Sequence, residues 1–324
     1  FCYRQRQFVP GSQAYYLDSS TILVNDTKIA GTIHNHVNEQ KLSFELCAYQ
    51  YSTFRITIDK IFEGSSAYKI PPGDVVNAEL PEHKIISDIQ GNVILVHAKI
   101  GDLAAIYMNP FKVEFFKEGK LVTIFNGRGL LNFEGDLQYS LDRTDGLTSN
   151  FSNSMESLKP EISSESNMTH QNAEHSWSEN FKTHVDSRPY GPSSLSLDID
   201  FNGFEFVYGI PEHADGFVLK NTDNTDPYRL YNLDVFEYEL NNPMALYGSV
   251  PLMWAHRKNM TVGLLWHNPS ETWIDIKSNR QTGSGIFGSI SNILSARSEI
   301  PSVKTRWMSE SGVVDVFLII ESNP

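Results

Sequence analysis

The stretch Phe111-Lys112-Val113-Glu114-Phe115-Phe116-Lys117-Glu118-Gly119-Lys120-Leu121-Val122-Thr123-Ile124-Phe125 reads as two strands joined by a turn. Phe111, Val113 and Phe115 alternate with Lys112 and Glu114, the two-residue period of a half-buried strand. Glu118-Gly119 supplies the turn, and Leu121, Thr123 and Phe125 carry the return strand. The same period recurs outward from this hairpin. Leu42, Phe44, Leu46 and Ala48 alternate with Ser43 and Glu45; Phe54, Ile56 and Ile58 alternate with Arg55, Thr57 and Asp59. Leu195, Leu197, Ile199 and Phe201 alternate with Ser194, Ser196, Asp198 and Asp200. Further strands are expected over Val93 to Ala98, Phe204 to Tyr208, Thr261 to Trp266, Trp273 to Ile276 and Val313 to Ile320. So many short strands with little helix between them predict a mainly β chain and a β-sandwich. One short helix is expected where Ile286, Ile290, Ile293 and Leu294 share a face.

At 324 residues and 40% hydrophobic content the chain can bury a full core. Lys and Arg total 26 against 39 Asp and Glu, a formal charge of -13 that repels phosphate backbones, so nucleic acid is not an expected partner. The best apolar run, Val313 to Ile320, is far short of the about 18 residues a membrane helix needs and contains Asp315, so no direct membrane insertion is expected. Between about Asp142 and Asn180, Ser, Asn, Glu and His dominate, which predicts a flexible, disordered insertion. The expected organisation is 1–141 as the first part of a sandwich, 142–180 as the insertion and 181–324 as the remainder. Two cysteines, Cys2 and Cys47, decide little about redox compartment. Asn25, Asn150, Asn167 and Asn259 begin Asn-x-Ser/Thr sequons, glycosylation candidates that lean towards the secretory pathway.

Motifs that carry chemistry are few. Gly283 to Gly288 has the spacing of a dinucleotide-binding turn, but the βαβ unit that turn requires is missing from an antiparallel pattern, so a glycine loop before a surface helix is expected. His34 and His36 share a strand face without a third ligand of matching type, and no metal site is expected. Asp198 and Asp200 project from one strand face as paired acid/base carboxylates would. An exposed, solubilising sheet surface is the simpler expectation for them. The serine-hydrolase, zinc-protease and phosphate-loop motifs are missing. The segment Tyr228 to Pro251 differs in kind: four tyrosines, Phe236 and three carboxylates with neither a two-residue nor a 3.6-residue period, the composition of a long ordered loop that stacks rings on a sugar and hydrogen-bonds its hydroxyls. A loop that packs on a neighbouring domain has the same composition.

Several blocks resemble glycoside hydrolase family 31. They are Phe1 to Arg6 (FCYRQR), Phe181 to His184 with Asp186 to Pro192, Tyr208 to Ala214 (YGIPEHA), Tyr228 to Pro251, and Trp307 to Gly312 with Asp315 to Phe317. The resemblance runs end to end, loosely over Gly11 to Ser140 and hardly at all over the insertion. It implies a galactose-mutarotase-like β-sandwich preceding a (β/α)8 barrel that holds two aspartates about 5 Å apart for retaining hydrolysis. The family's Trp-x-Asp-Met nucleophile motif is absent here, so the barrel and the catalytic residues are not expected in this chain. The implied function is that of a non-catalytic N-terminal region in an α-glucosidase that trims α-1,3-linked glucose from N-glycans in the endoplasmic-reticulum lumen during glycoprotein quality control. It needs no cofactor, acts on an N-glycan oligosaccharide and works with a non-catalytic β subunit. By the same resemblance Asp234 and Phe236 contact substrate on the leaving-group side, Glu212 and His213 hold their loop, Cys2 pairs with an upstream cysteine that this chain lacks, and Cys47 is a buried thiol. Two alternatives are kept: a free carbohydrate-binding or scaffold sandwich, and the same region of another family 31 α-glucosidase.

Overall fold

In the computed structural model Glu118 and Gly119 both take positive φ, +50° and +74°. This is the two-residue turn whose twist matches the right-handed twist of its strands, and glycine meets the requirement at no steric cost. Residues 1–9, 14–61, 68–75, 80–98, 101–134, 177–181, 184–188, 193–279 and 300–322 are described. In chain order the strands are β1 Tyr15–Leu17, β2 Leu23–Val24, β3 Lys28–Asn35, β4 Lys41–Tyr49, β5 Thr53–Lys60, β6 Ile86–Gln90, β7 Val93–His97, β8 Asp102–Tyr107, β9 Lys112–Lys117, β10 Lys120–Phe125 and β11 Asn132–Phe133. They continue as β12 Trp177–Phe181, β13 His184–Arg188, β14 Leu195–Asn202, β15 Val207–Gly209, β16 Tyr228–Leu230, β17 Leu252–Arg257, β18 Met260–Trp266, β19 Thr272–Ser278, β20 Ser302–Ser309 and β21 Val314–Glu321. The described helices are short, α1 Cys2–Gln7 and α2 Pro72–Val75. The expected helix around Ile286 to Leu294 and the glycine turn at Gly283 to Gly288 lie outside the described residues.

One sheet runs β1-β3-β4-β5-β21-β18-β17-β15 with β2 beside β3; the other runs β16-β19-β20-β14-β10-β9-β8-β7-β6 with β11 beside β14. All pairings are antiparallel, and β21 closes against β5, so a strand from near the end of the chain completes a sheet begun near its start. The sheets share one core. Phe44 meets Phe111 and Phe54 meets Phe115 with ring centroids 5.2 and 5.1 Å apart, and Trp266 stacks on Trp307 at 5.5 Å. Buried indole N–H groups need partners: Trp266 donates to Ser309 Oγ at 3.0 Å and Trp307 to Thr305 Oγ1 at 3.1 Å. The chain is thus a mainly β sandwich of two antiparallel sheets, and no (β/α)8 barrel occurs among the described residues.

The chain divides into two compact units, Phe1–Phe133 with Ser194–Pro324, and Glu134–Ser193. In the second unit β12 pairs with β13 in register from Trp177↔Arg188 to Phe181↔His184. Residues 177–180, expected as the end of a flexible insertion, are therefore strand, because a neighbouring segment satisfies their backbone groups.

Two further expectations are corrected. The return strand of the hairpin does not alternate cleanly, since the register shifts between Leu121 and Thr123. This bulge buries Val122 beside Thr123 and leaves Leu121 half-buried. Asp198 and Asp200 are not an exposed surface: they are 0% and 9% exposed. β14 is central, and the 127–131 turn folds over its outer face. Asp198 accepts the backbone N–H of Arg128 and of Leu130, each at 2.8 Å, and Asp200 pairs with the Arg128 guanidinium at 3.0 Å.

Burial lifts the Asp200 carboxyl to about 6 against the partial opposition of Arg128, with Asp198 adding to the rise. A folded-state value above the unfolded one of about 3.9 means that the folded chain holds a proton which the unfolded chain has lost. This contribution to stability is fully present below about pH 4 and is lost as pH rises through about 6. Asp200→Asn removes that titration. Chemical denaturation should show the stability of the variant relative to the parent rising by about 2–3 kcal/mol between pH 4 and 7. A flat difference would mean the carboxylate is ionised in the fold.

Candidate functional site

Tyr231 to Pro251 links β16 to β17 without regular structure of its own. Its entry is set by β16, which pairs with β19. Tyr228 points inward; its hydroxyl accepts Lys220 N–H at 2.9 Å and donates to Asp215 at 3.2 Å, and burial pushes the phenol up to about 12. Arg229 points outward and donates from Nε to Glu271 at 2.7 Å, with its guanidinium 4.5 Å from the Tyr231 ring centre and 5.2 Å from that of Trp273. Glu271 also accepts the Trp273 indole N–H at 2.6 Å. A carboxylate and two rings therefore fix Arg229, two residues before the loop begins.

The two legs of the loop are tied to each other and to the segment Pro211 to Ala214. Leu233 N–H donates to the Leu246 carbonyl at 2.8 Å, and the Tyr247 hydroxyl to the Val235 carbonyl at 3.0 Å. Glu212 binds the return leg three times: its carboxylate accepts Gly248 N–H at 2.9 Å, its N–H donates to the Gly248 carbonyl at 2.9 Å, and its carbonyl accepts Leu246 N–H at 3.2 Å. His213 Nδ1 lies 3.1 Å from the Met244 carbonyl, an arrangement that puts the proton on Nδ1, and its ring meets Tyr228 edge-on at 5.1 Å. Ala214 bridges Asn242. Ile210, just upstream, takes φ +43°, a left-handed backbone that a β-branched residue adopts only under surrounding constraint.

Two side chains on the outgoing leg stay bare all the same. Asp234 is exposed, and Phe236 is 100% exposed. A full phenyl ring in water on an otherwise anchored loop has no packing role within the described residues. Beneath the loop lies a cavity of about 470 Å³ whose lining includes Arg229, Leu233, Glu239, Asn242, Met244 and Trp273. Sequence reading singled out Asp234, Phe236, Glu212 and His213, and the structure brings all four to this one loop and its support. It missed Arg229, Glu271 and Trp273, which are remote in sequence and meet only through the pairing of β16 with β19.

The other candidates lie elsewhere. His34 and His36 stack on Tyr16, with centroids 5.3 and 4.2 Å away, and His34 lies 3.6 Å from Asp18. No group of three metal-binding side chains occurs among the described residues. Cys47 is buried and free, its thiol pushed up to about 12 by burial and the neighbouring Glu45; Cys2 is also free. Asn25 and Asn259 sit in exposed turns, while Asn150 and Asn167 lie outside the described residues. Among the described residues no helix is long and apolar enough to cross a membrane.

The family model described as the glycosyl hydrolase 31 N-terminal galactose mutarotase-like domain matches residues 43–275. Neutral alpha-glucosidase AB from Mus musculus is 38% identical over 99% of the chain, and that from Sus scrofa 40%; in each case the match takes up 34% of the relative. A probable glucan 1,3-alpha-glucosidase of Arabidopsis thaliana is 32% identical over the whole chain. Among solved structures, the glucosidase II alpha subunit superimposes with a TM-score of 0.75 at 28% identity, covering 99% of this chain and 35% of that one. Another, with a TM-score of 0.74, is the ER glucosidase II heterodimeric complex of the catalytic subunit and the binding domain of the regulatory subunit. The chain spans about a third of the length of these curated relatives. It belongs to glycoside hydrolase family 31, a family of glycosidases, and carries that family's N-terminal galactose-mutarotase-like domain.

Proposed function

We propose that this chain is the non-catalytic N-terminal region of a glucosidase II-type α-glucosidase, one that trims α-1,3-linked glucose from N-glycans in the endoplasmic-reticulum lumen during glycoprotein folding. The observation that carries the reading is the exposure of Asp234 and Phe236 on an anchored loop, in a chain that resembles neutral alpha-glucosidase AB over 99% of its length. Asp234 supplies a carboxylate to sugar hydroxyls, and Phe236 supplies a flat apolar face for the same sugar. Together they form one wall of a subsite whose bond-breaking wall belongs to a barrel outside this chain. Glu212 and His213 act through the loop they hold. The glucosidase II β subunit is the proposed protein partner, and the exposed Asn25 and Asn259 are proposed glycan acceptors.

Fluorescence titration of the 324-residue chain with a glucosyl-mannose oligosaccharide is expected to show no saturation, and the chain should not hydrolyse a nitrophenyl α-glucoside. Saturable binding would favour the free carbohydrate-binding module instead, and hydrolysis would overturn the reading. In the polypeptide extended through its barrel, Asp234→Ala and Phe236→Ala are each expected to lower kcat/KM on the oligosaccharide by about 10- to 100-fold, the loss of one charged hydrogen bond or one ring contact. Hydrolysis of the nitrophenyl glucoside, which fills less of that subsite, should fall less.

A further inference from the structure

α1 is six residues long, too short to persist by its own hydrogen bonds, so its place is set by what its side chains reach. Gln5 is fully buried; its amide donates to Ser194 Oγ at 2.8 Å and accepts from Asn132 Nδ2 at 3.0 Å. Phe8, just beyond the helix, has its ring centre 5.9 Å from the Arg306 guanidinium. These contacts lay the segment against β20 and the start of β14. Arg6 reaches further. Its Nε donates to Asp275 Oδ2 on β19 at 3.0 Å, and its Nη2 donates to the carbonyls of Thr222 and Thr225 at 3.2 and 3.3 Å. Thr222 is tied to the same carboxylate, its Oγ1 donating to Asp275 Oδ1 at 2.7 Å and accepting Ile276 N–H at 2.9 Å. Arg6 and Asp275 together therefore clamp the turn 222–225, and three residues later the chain enters β16 and then the substrate loop.

The turn matters to the loop because of what lies between them. Thr225, Asp226 and Pro227 line the cavity of about 470 Å³ beneath the loop, together with residues 239–245 of the loop itself. A segment that borders a void lacks packed neighbours on that side, so hydrogen bonds must hold it where side chains do elsewhere in the sandwich. The same stretch is joined to the return leg by Lys220, which donates to the Asn241 carbonyl at 3.3 Å and pairs with Asp215, the acceptor of the Tyr228 hydroxyl.

We propose that Arg6 is a positioning residue for the substrate loop: by fixing the turn 222–225 against β19 it sets where Asp234 and Phe236 meet the sugar. The inference rests on the reading that this loop contacts substrate. Charge alone does not account for the arrangement. The side chains of Arg6 and Asp275 are 32% and 24% exposed, and a partly solvated pair contributes little to global stability. Arg306 also lies opposite Asp275 on β20, so loss of Arg6 does not leave that carboxylate without a cation nearby. What Arg6 supplies is a planar fork that reaches a carboxylate and two backbone carbonyls at once, which an ammonium cannot copy.

Hydrogen exchange on the 324-residue chain and kinetics on the extended polypeptide test the proposal. In Arg6→Ala the amides of residues 231–248 should exchange about tenfold faster, with those of β3, β4 and β5 unchanged. In the extended protein the same substitution should lower kcat/KM on the oligosaccharide by about 5- to 10-fold, and on the nitrophenyl glucoside by less than about twofold, because only the longer substrate depends on the loop. Arg6→Lys keeps the charge but not the fork and should fall between alanine and the parent. The selective readout is a cycle with the loop: where Asp234 and Phe236 are already alanine, Arg6→Ala should have almost no further effect on kcat/KM, since its action runs through them. Additive losses overturn the proposal. So does exchange that quickens equally in β3, β4 and β5, which would make Arg6 a general stabilising residue. Should Arg6→Ala fold poorly, Thr222→Val removes a hydroxyl from the same clamp and should give the same loop-confined exchange; exchange at 231–248 that stays at the parent's rate overturns the proposal. Unchanged loop exchange alongside a costly Asp234→Ala sinks this inference alone. Exchange that quickens only in the loop, in an extended protein whose oligosaccharide turnover responds to neither Arg6→Ala nor Asp234→Ala, sinks the proposed function and leaves the clamp standing.

Discussion

Lys117→Met is expected to lower the unfolding free energy of the 324-residue chain by about 3–5 kcal/mol in urea denaturation, the cost of leaving a buried charge without its partner. Lys117 ends β9, and its ammonium lies 2.7 Å from Asp102 Oδ1 at the start of β8, with side chains only 7% and 1% exposed. It also donates to Ser52 Oγ at 3.0 Å, in the turn between β4 and β5. One cation thus ties the second sheet to a turn of the first. The other carboxylate oxygen of Asp102 has no hydrogen-bond partner, so nothing within the fold replaces the ammonium once it is gone. The double variant Lys117→Met, Asp102→Leu removes both charges and should recover most of the loss, since a buried ion pair gains little over apolar side chains of similar volume. A loss below about 1 kcal/mol in the single variant would show that Asp102 is solvated or neutral in the fold.

Asp315→Ala should cost a similar amount, about 3–5 kcal/mol by the same measurement. Both oxygens of Asp315 accept from Arg55 at 2.7 Å, and Oδ2 also faces His267 Nδ1 at 2.9 Å. Burial alone would raise this carboxyl; the hydrogen bonds from Arg55 and His267 override it and hold the group below its ordinary value. A depressed folded value contributes stability that is present above the unfolded value of about 3.9 and is lost as pH falls through the folded one. The parent should therefore lose its advantage over Asp315→Ala in strong acid, the reverse of the trend at Asp200. Loss of the carboxylate also frees the His267 ring, which lines an apolar pocket of about 410 Å³, so bis-ANS binding by the variant should change along with its stability.

The strands were legible because their period is local. In Leu42 to Ala48 and Leu195 to Phe201 every second side chain is apolar, and those side chains are the ones in the core. The Glu118-Gly119 turn was legible for the same reason, because the two-residue turn imposes its demand on two adjacent residues. The bulge at Leu121 was not, since an extra residue in a pairing has no signature in residue type. Asp198 and Asp200 misled for a related reason. A carboxylate opposite an apolar face normally marks water, and only the turn at Arg128 to Leu130, about 70 residues earlier in the chain, supplies the N–H groups that let these two be buried. Of the loop cluster, Asp234, Phe236, Glu212 and His213 stood out through the YGIPEHA and Tyr228 to Pro251 blocks. Arg229 with Glu271 and Trp273 did not, because nothing in either segment refers to the other.

The amino-acid sequence alone determines that this is a β-sandwich of glycoside hydrolase family 31 and that one aromatic, acidic loop stands apart from its strands, since alternation, turn chemistry and motif are carried by neighbouring residues. The tertiary structure alone decides that the loop is clamped at its base and bare at Phe236, and that two aspartates are interior. Those properties depend on which strands become neighbours, and pairing such as β5 with β21 joins residues about 260 apart, a distance over which no local preference reaches.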